Sequence, residues 1–174
     1  KNVLMSIKDC SIKELLLSVW PLLYKFLGGI FIMKNIAVVF WSGTGNTENM
    51  ANTIVDGVNS NGGEAKLFTA SEFSADLVDD FSAIAFGCPA MGAEELEDTE
   101  FLPMFNDCEP KLNGKKIALF GSYGWGDGEW VRTWTDTCVS DGAIITHDAV
   151  ICAGEPTDDT DIELVELAKS LLAD

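Results

Sequence analysis

Ile36-Ala37-Val38-Val39-Phe40-Trp41, running without a break into Ser42-Gly43-Thr44-Gly45-Asn46-Thr47, decides the fold. Six consecutive apolar residues with no polar alternation read as a short strand covered on both faces. Beyond the glycines, Ala51, Ile54, Val55 and Val58 recur at helical spacing, and Asn61-Gly62-Gly63 ends the pattern, which predicts a helix over 47–59. A buried strand delivered through a tight loop into a helix is the opening of a parallel β-α-β unit.

The same alternation continues outward. Strands are predicted over 65–69, 82–87, 116–121 and 143–153, with a short helix-like segment around Leu77. Helices are predicted over 99–106 (Phe101, Leu102 and Phe105 on one side), 128–140 (burying Val131, Trp134 and Cys138) and 162–172 (Leu164, Leu167, Ala168 and Leu171 inward). Five strands separated by helices imply one α/β domain, a doubly wound five-stranded parallel sheet with helices on both faces. The 174 residues suffice for one such domain and hardly for two.

Open parallel sheets bind ligands beyond the carboxyl ends of their strands. Every suggestive loop here follows a strand: 42–47, 88–97, 122–128 and 152–157. In the first, Ser42, Thr44, Asn46 and Thr47 supply side-chain donors, and Gly43 and Gly45 let the backbone curl toward an anion at a helix N-terminus. It is not a P-loop, since it lacks Gly-Lys-Ser/Thr, and the dinucleotide pattern fails because Glu48 stands where the last glycine belongs. No Lys or Arg occurs between Lys34 and Lys66, so a phosphate here would rely on neutral donors, which suits one monoester better than a triphosphate. The third loop, Ser122-Tyr123-Gly124-Trp125-Gly126-Asp127-Gly128, holds a tryptophan among glycines, which suits a flat aromatic ring. Phosphate monoester and flat ring together point to flavin mononucleotide (FMN).

Composition narrows the function. Residues 33–174 hold 7 basic and 26 acidic residues, a formal charge of −19, a poor surface for nucleic acid or anionic membranes and a good one for basic proteins. Cys10, Cys88, Cys108, Cys138 and Cys152 are scattered without a Cys-x-x-Cys pair, which argues against zinc and disulfides and for a reducing, cytoplasmic setting. The single histidine, His147, has no neighbours to make a metal site, and no Ser/His/Asp or Cys/His set is present.

Residues 1–32 do not fit this domain. Leu15–Ile32 is an apolar run of 18, near the minimum for a membrane span, but Lys25 inside it would cost roughly 2.5–3.5 kcal/mol and Pro21 would kink a helix. Three readings compete: sequence upstream of a true start at Met33, a membrane anchor, or an amphipathic extension docked on the domain. The first is the expectation, leaving 33–174 as the mature domain.

Three stretches now carry a resemblance. VVFWSGTGNTENMANTI (Val38–Ile54), CPAMGAEELED (Cys88–Asp98) and LFGSYGWGDGEW (Leu119–Trp130) resemble the flavodoxins, in particular those of short-chain type, since the last strand carries no long insertion. The resemblance covers Met33 to the C-terminus and implies the flavodoxin-like strand order 2-1-3-4-5. It implies that Ser42, Thr44, Asn46 and Thr47, with the loop backbone at Gly43 and Gly45, hold the FMN phosphate. Ala90 would lie along the ribityl chain, and Met91 and Trp125 would cover opposite faces of the isoalloxazine. Gly92 would turn its carbonyl toward flavin N5 when the one-electron-reduced ring gains a proton. Glu94 would accept from N3–H, while the backbone of Ser122, Tyr123, Gly124 and Gly126 would meet the pyrimidine side. Pro89 and Gly154 stand where some members have serine and asparagine.

The implied function is a monomeric low-potential one-electron carrier. Its partners would be redox proteins with basic docking surfaces: reductases, and oxidoreductases that otherwise use ferredoxin. An FMN-dependent NAD(P)H reductase of quinones or azo compounds is the alternative, and would need room above the flavin for a second substrate.

Overall fold

The structure, a computed structural model, describes residues 33–174. The apolar stretch Leu15–Ile32, and the expectation that 1–32 precede the mature domain, lie outside the described residues. Among the described residues six strands are present: β1 (Asn35–Phe40), β2 (Glu64–Thr69), β3 (Ala83–Gly87), β4 (Lys116–Tyr123), β5 (Ile144–Ile145) and β6 (Val150–Ala153). Four α-helices accompany them: α1 (Asn46–Ser60), α2 (Phe101–Cys108), α3 (Glu129–Ser140) and α4 (Asp158–Leu172), with 3-10 turns at Ala70–Glu72, Ala75–Asp80 and Glu109–Lys111. All pairings are parallel in the order β2-β1-β3-β4-β5, and β6 also pairs with β4. This is the doubly wound order expected.

Strand β1 is buried on both faces because its parities diverge. Ile36, Val38 and Phe40 enter one core with Met50 and Ile54 of α1 and Leu164, Leu167 and Leu171 of α4. Ala37 and Val39 enter the other, with Phe101 and Phe105 of α2 and Trp130 and Trp134 of α3. The unbroken apolar run therefore follows from helices on both sides.

The fifth lane departs from the prediction of one strand over 143–153. β5 pairs with the start of β4 (Lys116↔Ile144, Ile117↔Ile145), and β6 pairs with its end (Phe120↔Val150 to Tyr123↔Ala153). Partners lie 28 positions apart in the first ladder and 30 in the second, so the lane slips by two residues. Thr146 closes the first ladder, its N–H and Oγ1 both donating to Ile117 O at 3.0 and 3.3 Å. An even slip preserves facing, so Val150 and Cys152 still reach the α1/α4 core.

Two helices differ in detail. In α2 the buried residues are Phe101, Met104, Phe105 and Cys108, whereas Leu102, expected inward, is half-buried. α4 begins at Asp158, four residues before the predicted start, because Thr157 and Thr160 form a reciprocal capping box. Asp158, Asp159 and Asp161 fill that first turn, and their polarity hid it from a search for apolar spacing.

Candidate cofactor site

In this topology the helix N-termini gather at the carboxyl ends of the strands, and three of the four are capped by their own chain. Thr157 caps α4, accepting from Thr160 N–H. The Glu97 carboxylate caps α2, accepting from the N–H groups of Thr99 (2.9 Å), Glu100 (2.8 Å) and Phe101 (2.8 Å) and from the Thr99 hydroxyl. Glu94 Oε1 caps α3, accepting from the N–H groups of Asp127 (3.2 Å), Gly128 (2.9 Å) and Glu129 (3.1 Å). Helix α1 has no side-chain cap: its N-cap is Gly45 at φ +93°, a left-handed backbone that glycine adopts without strain.

The loop preceding α1 is ordered from within. Gly45 N–H donates to Ser42 Oγ at 3.0 Å, and the Trp41 ring lies 3.0 Å from where a Cβ on Gly43 would be. Thr47 is buried, its hydroxyl 3.3 Å from the equally buried Ser122 hydroxyl, which ties this loop to the end of β4. The donors are neutral. Among the described residues, Lys34 and Lys116 are held at the other end of the sheet, donating to carbonyls at the C-terminus of α4. Arg132 is engaged with Asp127, donating to its carbonyl and its carboxylate at 2.8 Å each.

The three loops converge. Gly43, Thr44 and Asn46 from the first, Ala90 and Met91 from the second, and Ser122, Tyr123 and Gly124 from the third line one cleft of about 300 Å³. Trp41, Pro89 and Gly154 complete it. Ser42, Gly45 and Thr47 do not line it. Gly92, Glu94, Trp125 and Gly126 lie outside the lining. Met91 and Trp125 are large apolar side chains left 39% and 64% exposed.

Between β3 and α2 the chain makes a tight turn. Met91 N–H donates to Glu95 O at 2.8 Å and Glu95 N–H returns to Met91 O at 2.9 Å. Gly92 (φ +49°) and Glu94 (φ +56°) both take left-handed backbone in between, and Glu94 is the sole non-glycine doing so among the described residues. No atom lies within 4 Å of a Cβ built on Gly92, so its glycine answers to backbone angle rather than crowding.

Two functional residues escaped the sequence reading. Glu97 belongs to the run Glu94-Glu95-Glu97-Asp98-Glu100, which reads as a solvated face, yet it is 4% exposed. Burial alone would raise its pKa, but four donated hydrogen bonds outweigh this and hold it at about 2. The three-residue spacing to Glu100-Phe101 before an apolar helix was the available signal. Trp130 is also buried, its Nε1–H donating to Cys88 O at 3.2 Å and so fixing α3 against the end of β3. Cys88 itself accepts from Glu97 N–H, and burial pushes its thiol up to about 12, which removes it as a nucleophile.

A profile of the flavodoxin family matches residues 38–168. The chain is 46% identical over 116 residues to the flavodoxin of Megasphaera elsdenii, covering 67% of this chain and 85% of that one. It is 38% identical over 134 residues to the flavodoxin of Clostridium beijerinckii, covering 77% and 96%. The solution structure of the two-electron-reduced Megasphaera elsdenii flavodoxin superposes with a TM-score of 0.73 at 43% identity, over 78% of this chain and 97% of that one.

Proposed function

This chain belongs to the flavodoxin family and is a flavin-binding electron carrier of that family, and we propose that its flavin is FMN, held in the three-loop cleft and working at low potential. The observation that carries the site is the contrast at the helix ends: among the described helices α1 alone has no side chain accepting from its first-turn N–H groups, and its loop opens onto the cleft with neutral donors. The residues present fit the group. A single phosphate takes the first-turn N–H groups of α1 and the side chains of Ser42, Thr44, Asn46 and Thr47. The apolar pair Met91 and Trp125 takes the ring.

When bound, FMN supplies reversible one-electron chemistry, and the chain's own residues set its surroundings. Thr47 and Ser122 lock the phosphate loop to β4. Ala90 would lie beside the ribityl chain, and the backbone of Tyr123, Gly124 and Gly126 would face the pyrimidine side. Gly92 provides a peptide whose backbone can visit angles that a Cβ would penalise, so its carbonyl would be able to turn and accept a hydrogen bond from a ring N–H. Glu94 Oε2, which accepts no hydrogen bond from the described residues, serves N3–H. The charge of −19 over residues 33–174 opposes added negative charge and lowers the potential.

The carrier acts without a substrate of its own, as a monomer in the cytoplasm, exchanging electrons with reductases and oxidoreductases that present basic surfaces. Residues 33–174 are the functional unit. The nicotinamide-dependent reductase reading is not favoured by these matches. Purified protein incubated with excess FMN and passed through gel filtration should stay yellow. Colourless, folded protein overturns the cofactor assignment. Rapid bleaching of the bound flavin by NADPH, with no reductase added, overturns the carrier assignment.

A further inference from the structure

We propose that Glu94 is a positioning residue: by capping α3 it couples the turn 91–95 to the loop 124–128, so that the two ring-facing segments are set as one unit. The coupling rests on contacts within the polypeptide. Only the ligand named in its test rests on the reading above.

Glu94 Oε1 accepts three consecutive N–H groups, Asp127, Gly128 and Glu129, from 33 to 35 residues further along the chain. Those groups follow directly on Trp125 and Gly126. The carboxylate also occupies the space beside Gly126, where a Cβ would come within 2.4 Å of Glu94 Cδ. The strut therefore needs a residue without a Cβ at position 126.

The first segment is rigid enough to transmit this. Its ends are clamped by the paired Met91 and Glu95 hydrogen bonds, and Glu94 sits within the clamp at φ +56°. A left-handed backbone is unfavourable for glutamate, and the three donated bonds offset it. On the other segment, Arg132 bonds the Asp127 carbonyl and carboxylate, and Trp130 bonds Cys88 O at the root of the turn.

This role differs from a direct contact with the ring. A direct acceptor acts on the ligand alone. A strut acts on the protein before any ligand is present, and then through Trp125. Glutamine keeps an acceptor oxygen of the same reach, so Glu94→Gln should retain part of the coupling and Glu94→Ala none.

The test uses the full chain in two arms. In FMN-free protein, amide hydrogen exchange is followed by NMR in wild type, E94Q and E94A. In E94A, exchange at Asp127–Glu129 should speed up about tenfold, as for loss of a helix cap. Exchange at Met91 and Glu95 should rise with it, that at Asn49 in α1 should not, and E94Q should fall between. A rise confined to 127–129 overturns the coupling. In the second arm, FMN dissociation constants are compared for E94A, W125A and the double variant. If each single change weakens binding about tenfold, the double should fall well short of a hundredfold, because both act through one loop. Losses that multiply in full show that Glu94 acts on the ring independently of the Trp125 loop and overturn the proposal. Should wild type bind no FMN, the cofactor assignment fails while the exchange arm still decides the strut.

Discussion

Helices α1 and α3 begin at the same end of the same sheet, each behind a left-handed glycine, yet their N-termini are treated in opposite ways. At α3, Gly128 (φ +88°) precedes a first turn whose N–H groups are taken by Glu94 from a distant loop. At α1, Gly45 (φ +93°) precedes a first turn whose N–H groups meet no side-chain acceptor, its one acid, Glu48, being exposed and making no cap. A helix N-terminus attracts negative charge wherever it occurs. What sets α1 apart is that no side chain of the protein takes the N–H groups of its first turn. The acid-capped ends at α2 and α3 then form the frame against which the open end is held.

The largest effect should come from erasing that difference. Thr44→Asp places a carboxylate in the cleft beside α1, and FMN affinity should fall by more than about a hundredfold at low salt through like-charge repulsion. Thermal unfolding of the FMN-free variant should show a gain of about 0.5 kcal/mol, since an acid near a helix N-terminus is stabilising. Opposite signs for binding and stability mark the trade between ligand and cap.

Removing an acid cap should do the reverse. Glu97→Gln should cost about 3 kcal/mol in urea unfolding at pH 7, from a carboxyl held at about 2 against 4.5 in the unfolded chain. The folded-state value is depressed, so this stability is fully present above about pH 4.5. It is lost as pH falls toward 2. Wild type should lose it across that window, and the glutamine variant should lose less.

Glycine substitutions sharpen the contrast further. Gly126→Ala meets both a positive φ and the Glu94 carboxylate, and should cost about 2 kcal/mol. Gly45→Ala meets only the positive φ, with open space around its Cβ, and should cost about 1 kcal/mol. Equal costs would mean that the Glu94 contact contributes nothing. The smallest effect concerns salt. A phosphate site built on lysine weakens as salt rises, but one built on neutral donors in an acidic domain should tighten, by roughly threefold between about 10 and 200 mM. Calorimetric titration at the two ionic strengths checks the sign.

Most of the fold was legible because burial is written into sequence period. The unbroken run at Ile36–Trp41 and the helical spacing of Ala51, Ile54 and Val58 each admit few alternatives. The fifth lane was not, because Ile144 to Ala153 keeps its β character through a two-residue slip in register, and register depends on the partner strand. Of the site, the phosphate loop was legible as local chemistry, and Trp125 stood out as an aromatic among glycines. Glu97 was hidden, since an acid in an acidic run looks like solvated surface until a helix N-terminus is placed over it. Trp130 was hidden because its partner, Cys88 O, is a backbone carbonyl 42 residues away.

By itself, then, the sequence determined the alternation of strand and helix, the absence of cations in the first loop and the acidity of residues 33–174, because these depend only on which residues occur and at what spacing. The tertiary structure alone decided which acids remain free. Glu94 and Glu97 differ from their neighbours only in meeting helix ends brought to them by the sheet, and a carboxylate's role is set by the N–H groups that folding places within hydrogen-bonding distance of it.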